Sequence, residues 1–378
     1  MKKLHYDRER VMQARDLRRR WYDGEKTERT PFVFSVRQEN IKAMYAPGNP
    51  YTYREMCEDG QKAVDGLIFA MQYQFDTFPD CDYLPVMLPY YLGEGILATM
   101  YGAEQYLVDE YPPFTKGRVF TDIADAMKIS NDFTIEETTW GAILKEHMER
   151  FVDATGGEIP IGMADYQSPY GSATKLIPNE ELMIAMYDHP ELMHCFMETM
   201  VEGIIKLINA MERWVGRDLI AHNVQNPIPG ACGLVLWDDY ISVITPDLHK
   251  EFCVPYNRKL YERYGYGHLH TCGPYFPAYI DACLACSPRS MDIGIMRGMG
   301  KTKEDLMKFL SITKEKNIRL FGSLDMNDQS VFDEKWTKPD ISMWEAFISG
   351  GYMPSAGGTY EEGVIFKQLI RSIDEHNR

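Results

Sequence analysis

From residue 179 onward, the apolar positions alternate between helical and strand spacing. "NEELMIAMYDHPELMHCFMETMVEGIIKLINAMERWVG" (179–216) places apolar residues at three- and four-residue steps, the pattern of a buried helix face. Pro190 suits a first helical position, so the segment predicts two helices broken at His189-Pro190. "RDLIAHNVQN" (217–226) predicts a strand running into a loop. "TPDLHKEFCVPYNRKLYERYG" (245–265) predicts a helix capped by Thr245, with Pro246 in its first turn. "GHLHTCG" predicts a short strand and the loop after it, "PYFPAYIDACLAC" a helix, "SMDIGI" a strand, and "TKEDLMKFLSITKEKN" a helix capped by Thr302. "IRLFGSLD" and "YMPSAGGT" predict two more strand–loop units. "VFDEKWTKPDISMWEAFISGG" is helical in part, and "YEEGVIFKQLIRSIDEHN" is the closing helix.

Repeated strand–loop–helix units predict a parallel α/β fold. A length of 378 residues fits a (β/α)8 TIM-type barrel with an N-terminal helical elaboration. Residues 1–80 are expected to form an extension packed on the barrel, and residues 81–378 the barrel itself. Chemistry in such a barrel sits at the C-terminal strand ends. The loops that matter are then "HNVQNPIPGACG", "HTCGP", "GSLD" and "SAGGT". A doubly wound open sheet is the competing architecture. No G-x-G-x-x-G follows an early strand, so dinucleotide binding has little support.

Composition narrows the function classes. Hydrophobic residues make up 45% and charged residues 25%, as in soluble globular proteins. No apolar run approaches the ~20 residues that span a bilayer. The N-terminus, "MKKLHYDRERVMQARDLRRRWYDGEKTERT", lacks an apolar signal region, so a cytoplasmic address is expected. A formal charge of −16 argues against a nucleic-acid surface, which needs clustered Lys and Arg. The basic "RDLRRR" (15–20) reads as the solvated face of an N-terminal helix. The 8 cysteines are scattered through the chain, which favours reduced thiols. Cys283 and Cys286 form a C-x-x-C with no second pair at zinc-ribbon spacing, so they are a weak metal signal.

The stretch "GYGHLHTCGP" (265–274) carries the sharpest chemistry. On an extended segment His270 and Cys272 point the same way. Imidazole and thiolate suit zinc, which takes nitrogen and sulfur ligands in a tetrahedral shell and keeps one position open in catalytic sites. His268 shares that face but sits deeper, earlier in the strand. The plainer alternative, a satisfied core histidine beside a buried thiol, stays open from spacing alone.

With its flanks, this stretch resembles the uroporphyrinogen decarboxylase superfamily, and within it the corrinoid-linked, zinc-dependent methyltransferases such as the methylcobamide:coenzyme M enzymes. The resemblance rests on "HTCGP" before a helix, "WDDYISVITPDLHKEFCVPYNRKLYERYG" (237–265), "FGSLD" (321–325) and "GGYMPSAGGTYEEGV" (350–364). It also rests on "SPYGSATKLI" followed by "PNEELMIAMYDHPELM", and more faintly on "LPVMLPYYLGEGILATMYGAE" (84–104). It implies a barrel with zinc at the mouth, a corrinoid (cobalamin) methyl carrier on a transiently bound partner protein, and a small methyl donor or acceptor. It also admits a homodimer. The zinc ligands it implies are a His-x-Cys pair, here His270 and Cys272, plus a cysteine in the last barrel loop. "PSAGGTY" has no cysteine. Asp239, beside Asp238, and Cys232 in "PGACG" rank level as replacements, with His222 below them. Asp238-Asp239 reads equally as a carboxylate pair capping a turn.

The methyl acceptor or donor would be a thiol, a methoxyl compound or tetrahydrofolate. Arg37, His222, Tyr166 and Asp325 are the candidate substrate contacts, and Tyr170, Trp237 and Tyr275 are further aromatic candidates near the mouth. Two other readings compete. A cofactor-free decarboxylase of a tetrapyrrole-like carboxylate would use a basic segment resembling Arg37-Gln38, but Glu39 stands where repulsion of carboxylates results. A non-catalytic corrinoid- or porphyrin-binding protein is the third.

Overall fold

The computed structural model describes residues 3–36, 49–223, 226–232, 234–265, 267–271, 278–292, 303–322, 324–325 and 341–377. Eleven strands fall within them: β1 (Val33–Val36), β2 (Glu104–Tyr106), β3 (Phe114–Lys116), β4 (Ile220–Asn223), β5 (Asn226–Cys232), β6 (Leu234–Trp237), β7 (Gly267–His270), β8 (Ser290–Asp292), β9 (Arg319–Phe321), β10 (Leu324–Asp325) and β11 (Ser355–Gly358).

The parallel strands close into a ring. β6, β7, β8 and β9 pair in parallel, in chain order. Leu320 in β9 bridges to Tyr352, on the approach to β11, and β11 pairs in parallel with both β10 and β1. Beside β1, the Phe32 carbonyl accepts from the Asp82 N–H, and Met87 bridges in parallel to Ile161. The Ser168 N–H donates to the Trp237 carbonyl and returns the ring to β6. The staves are therefore β1, the segments around 82–87 and 161–168, β6, β7, β8, β9 and β11. This is the (β/α)8 TIM-type barrel. Every residue of β6, β7 and β8 is buried, as expected where helices cover parallel strands.

The helices follow the apolar spacing. Asn179–Asp188 and Pro190–Val215 break at His189, as predicted. The 245–265 segment starts at its Thr245 cap but divides at Cys253 into Pro246–Phe252 and Val254–Tyr264, because Pro255 suits a first helical turn. The closing helix, Tyr360–His376, carries a capping box between Thr359 and Glu362. The expected cap Thr302 lies outside the described residues.

Three expectations change. β1 lies in the segment expected to be an extension, yet it is a stave, because its buried apolar residues pair with β11. The described residues of "HNVQNPIPGACG" lie in two antiparallel strands, β4 and β5, rather than a loop. "RDLRRR" is not wholly a solvated face. Arg19 and Arg20 do pair with surface carboxylates, whereas Arg18 is buried and reaches the carbonyls of Asp82 and Pro227. Arg18 thereby ties the helix Arg8–Asp23 to the barrel wall and to β5.

Candidate active site at the barrel mouth

Parallel register brings three strand ends together. Trp237, the last residue of β6, is opposite His270, the last residue of β7, and Asp292 ends β8. Because side chains alternate along a strand, His268 and His270 share a face at different depths. His268 is fully buried, its Nδ1 stands 2.8 Å from Ser290 Oγ, and its ring meets Phe321 edge-on. Burial lowers its pKa to about 3, so it is a neutral core histidine. His270 is nearer the opening. Its Nδ1 lies 2.7 Å from Asp292 Oδ2, and its Nε2 faces Asp239 Oδ1 at 3.9 Å.

The adjacent aspartates do different jobs. Asp238 is completely buried and accepts from Ser168 Oγ (3.1 Å), His249 Nε2 (2.9 Å) and Asn257 Nδ2 (2.9 Å). Its N–H donates to the His270 carbonyl at 2.9 Å. Burial alone would raise its pKa, but the His249, Asn257 and Ser168 donors prevail and hold it below the usual value. Asp238 therefore braces the end of β6. Asp239 begins the short turn Asp239–Val243, and its side chain is partly open to the mouth.

A second arm comes from the stave at 161–168. Gln167 Nε2 donates to Asp165 Oδ1 (3.1 Å) and to Asp239 Oδ2 (3.3 Å). Burial, then the charges of Glu94 and Asp239, raise the Asp165 pKa to about 7. Lys175 is tied to Glu94 and to the Tyr240 hydroxyl (3.1 Å). The mouth thus gathers Glu94, Asp165, Asp239 and Asp292 around His270.

A family model described as uroporphyrinogen decarboxylase matches residues 13–325. The chain belongs to the uroporphyrinogen decarboxylase family. No curated protein matches by sequence. Among solved structures, a methyltransferase from Methanosarcina mazei superposes at TM-score 0.63 with 18% identity, over 96% of this chain and 98% of its own. That likeness shows a shared fold. An adenine deaminase from Arthrobacter aurescens aligns at TM-score 0.27 and 12% identity, over 67% of this chain and 75% of its own, too weak a superposition to show a shared fold.

In this family member, the expected site residues fall into three groups. His270 and Asp239 meet at the mouth. Cys272, Arg37 and the aromatic candidate Tyr275 lie outside the described residues. Of the rest, Trp237 and Asp325 also end strands on the mouth side, and the others stand elsewhere. Tyr166 is fully buried, donates to the Val235 carbonyl at 2.9 Å and packs edge-on to Trp237, so its hydroxyl braces the barrel wall. Tyr170 is also fully buried, its hydroxyl on Asn179. His222 is buried against Trp237, with Nε2 3.2 Å from the Met163 carbonyl. Cys232 pairs with Ile220, which itself bridges to Gly162 at the start of its stave. It therefore stands at the strand-entry end, roughly 15 Å below the mouth at ~3.3 Å per residue, out of reach of a ligand on His270. Asp325 lies in β10, opposite Gly357 of β11. Cys283 and Cys286 are free and fully buried, and burial raises both thiols. That suits packing rather than metal binding.

Among the described residues, no three His, Cys, Asp or Glu side chains form a metal-binding group. The donors that do meet fit zinc. A metal-bound histidine usually has a carboxylate at its other ring nitrogen, and Asp292 Oδ2 stands 2.7 Å from Nδ1, in contact but off the line of a hydrogen bond. Two ligands at ~2.0–2.2 Å from one tetrahedral zinc stand about 3.3–3.6 Å apart, so His270 Nε2 and Asp239 Oδ1, which are 3.9 Å apart, would close by a few tenths of an ångström to share one.

Sequence reasoning missed Asp292, Asp165 and Gln167. Asp292 had a usable signal, a lone carboxylate inside the predicted apolar strand "SMDIGI". Asp165 and Gln167 sit in "MADYQSP", where only Tyr166 stood out.

Proposed function

We propose that this chain is a zinc-dependent methyltransferase that moves a methyl group between a corrinoid, carried on a partner protein, and a small substrate such as a thiol, a methoxyl compound or tetrahydrofolate. The observation that carries the reading is the His270 arrangement, with one ring nitrogen 2.7 Å from Asp292 and the other turned toward Asp239. Membership of an enzyme family and the fold shared with the Methanosarcina mazei methyltransferase support it. His270, Cys272 and Asp239 would hold the zinc. Bound there, zinc supplies Lewis acidity that lets a substrate thiol react as thiolate at neutral pH.

The chain's own residues prepare that site. Asp292, 2.7 Å from Nδ1, favours a proton on that nitrogen and so a tautomer whose Nε2 faces the opening. Asp238 anchors the turn that presents Asp239 and holds the His270 backbone. The acidic mouth disfavours the decarboxylase reading. A polycarboxylate would meet Glu94, Asp165, Asp239 and Asp292, while Lys175 is already paired with Glu94.

The test is elemental analysis of purified protein, followed by a methylcobalamin assay with thiols and tetrahydrofolate. The expected result is near one zinc per chain, lost in His270→Ala and Cys272→Ser, with methyl transfer lost in the same variants. Absence of zinc under every reconstitution overturns the proposal.

A further inference from the structure

We propose that Gln167 is a positioning residue that aims the Asp239 carboxylate at His270, and that Asp165 holds Gln167 in place. The inference rests on the reading that Asp239 and His270 share one ligand.

The two oxygens of Asp239 face different partners. Oδ2 accepts from Gln167 Nε2 at 3.3 Å, and Oδ1 faces His270 Nε2 at 3.9 Å. A carboxylate on a short side chain can rotate, and a donor on one oxygen fixes where the other points. Gln167 is well suited to this because it cannot swing away. It is 1% exposed, and the same Nε2 also donates to Asp165 Oδ1 at 3.1 Å. Asp165, itself buried, is therefore the anchor and Asp239 the group being aimed.

Two costs mark the position as selected for its amide. Gln167 has a φ of +62°, a left-handed conformation uncommon for a residue with a side chain. Its Oε1 is buried with no hydrogen-bond partner among the described residues. The fold accepts both where a neutral donor is set between two carboxylates. The alternative amide orientation would turn Oε1 toward Asp165 and Asp239, which repel it when ionised.

The test uses Gln167→Gly, which removes the side chain while tolerating the left-handed backbone. Asp165→Ala removes the anchor, and Asp165→Asn retains an oxygen acceptor. Circular dichroism checks that each variant is folded. Two readouts follow: the cobalt(II) affinity and visible spectrum of each full-length variant, and a crystal structure of metal-free Gln167→Gly. The expected result is at least tenfold weaker cobalt binding with an altered spectrum in Gln167→Gly and Asp165→Ala, recovery in Asp165→Asn, and an Asp239 carboxylate turned away from His270. A folded Gln167→Gly protein with the wild-type Asp239–His270 approach overturns the inference. If the wild-type chain binds neither cobalt nor zinc, the metal reading fails, and the metal-free structure still decides the positioning role.

Discussion

Replacing Asp238 and Asp239 one at a time separates bracing from chemistry in two neighbouring, identical side chains. Asp238→Ala removes the acceptor of Ser168, His249 and Asn257 inside a fully buried cluster. Removing one partner of a buried charged pair typically costs about 3–5 kcal/mol, because the remaining polar groups stay buried and unpaired. The three donors share one carboxylate, so their losses overlap and are not summed. For a large domain each kcal/mol lowers the melting temperature by about 2 °C, so the expected drop is roughly 6–10 °C. Asp239 is partly exposed and held through Gln167 at 3.3 Å, so Asp239→Ala should cost no more than about 1 kcal/mol, or about 2 °C. Metal content should respond in the opposite order, falling in Asp239→Ala while the fold stays intact. Scanning calorimetry with elemental analysis of both variants is the assay. A pH series adds a sign. The Asp238 carboxyl is held below its usual value, so its contribution is present above about pH 4 and is lost as the pH falls through the folded value. Equal melting shifts in the two variants, or a larger shift for Asp239→Ala, would refute the division of labour.

Three further outcomes are expected. Asp292→Asn should weaken zinc about 10- to 100-fold in a chelator competition while the chain stays folded, since second-layer carboxylates tune bound histidines by that factor; unchanged affinity removes Asp292 from the site. Asp165 has its pKa raised to about 7, so the folded state keeps a proton that the unfolded chain releases near pH 4. Stability should therefore decline as pH rises between about 4 and 7, and melting curves of Asp165→Asn over that range should lose this slope. Tyr166→Phe should cost about 1 kcal/mol in denaturant unfolding, from the bond to the Val235 carbonyl, with the KM for the methyl acceptor unchanged; a raised KM would return Tyr166 to the substrate.

The barrel was largely legible because parallel staves and their covering helices impose distinct spacings. The break at His189-Pro190 and the Thr245 cap are local chemistry, and both appear in the fold. The β4–β5 pair was not legible, since Pro227 and Pro229 in β5 read as loop residues. At the site, His270 could be placed from its strand end alone. Its partners could not. Asp292 and His270 are on different strands, and their contact depends on the β7–β8 register. Likewise "DD" looks uniform in sequence, and only the cluster of Ser168, His249 and Asn257 shows which carboxylate is buried. Cys232 looked equivalent to Asp239 as a ligand until the β4–β5 register placed it at the other end of the staves.

The most direct test of the central claim is the zinc content of the purified chain paired with methyl transfer from methylcobalamin, measured on the same preparations of wild type, His270→Ala and Asp239→Ala. The account predicts near one zinc per wild-type chain, and metal and methyl transfer lost together in both variants. A wild-type protein that transfers methyl groups without zinc, or variants that keep their zinc, would contradict it.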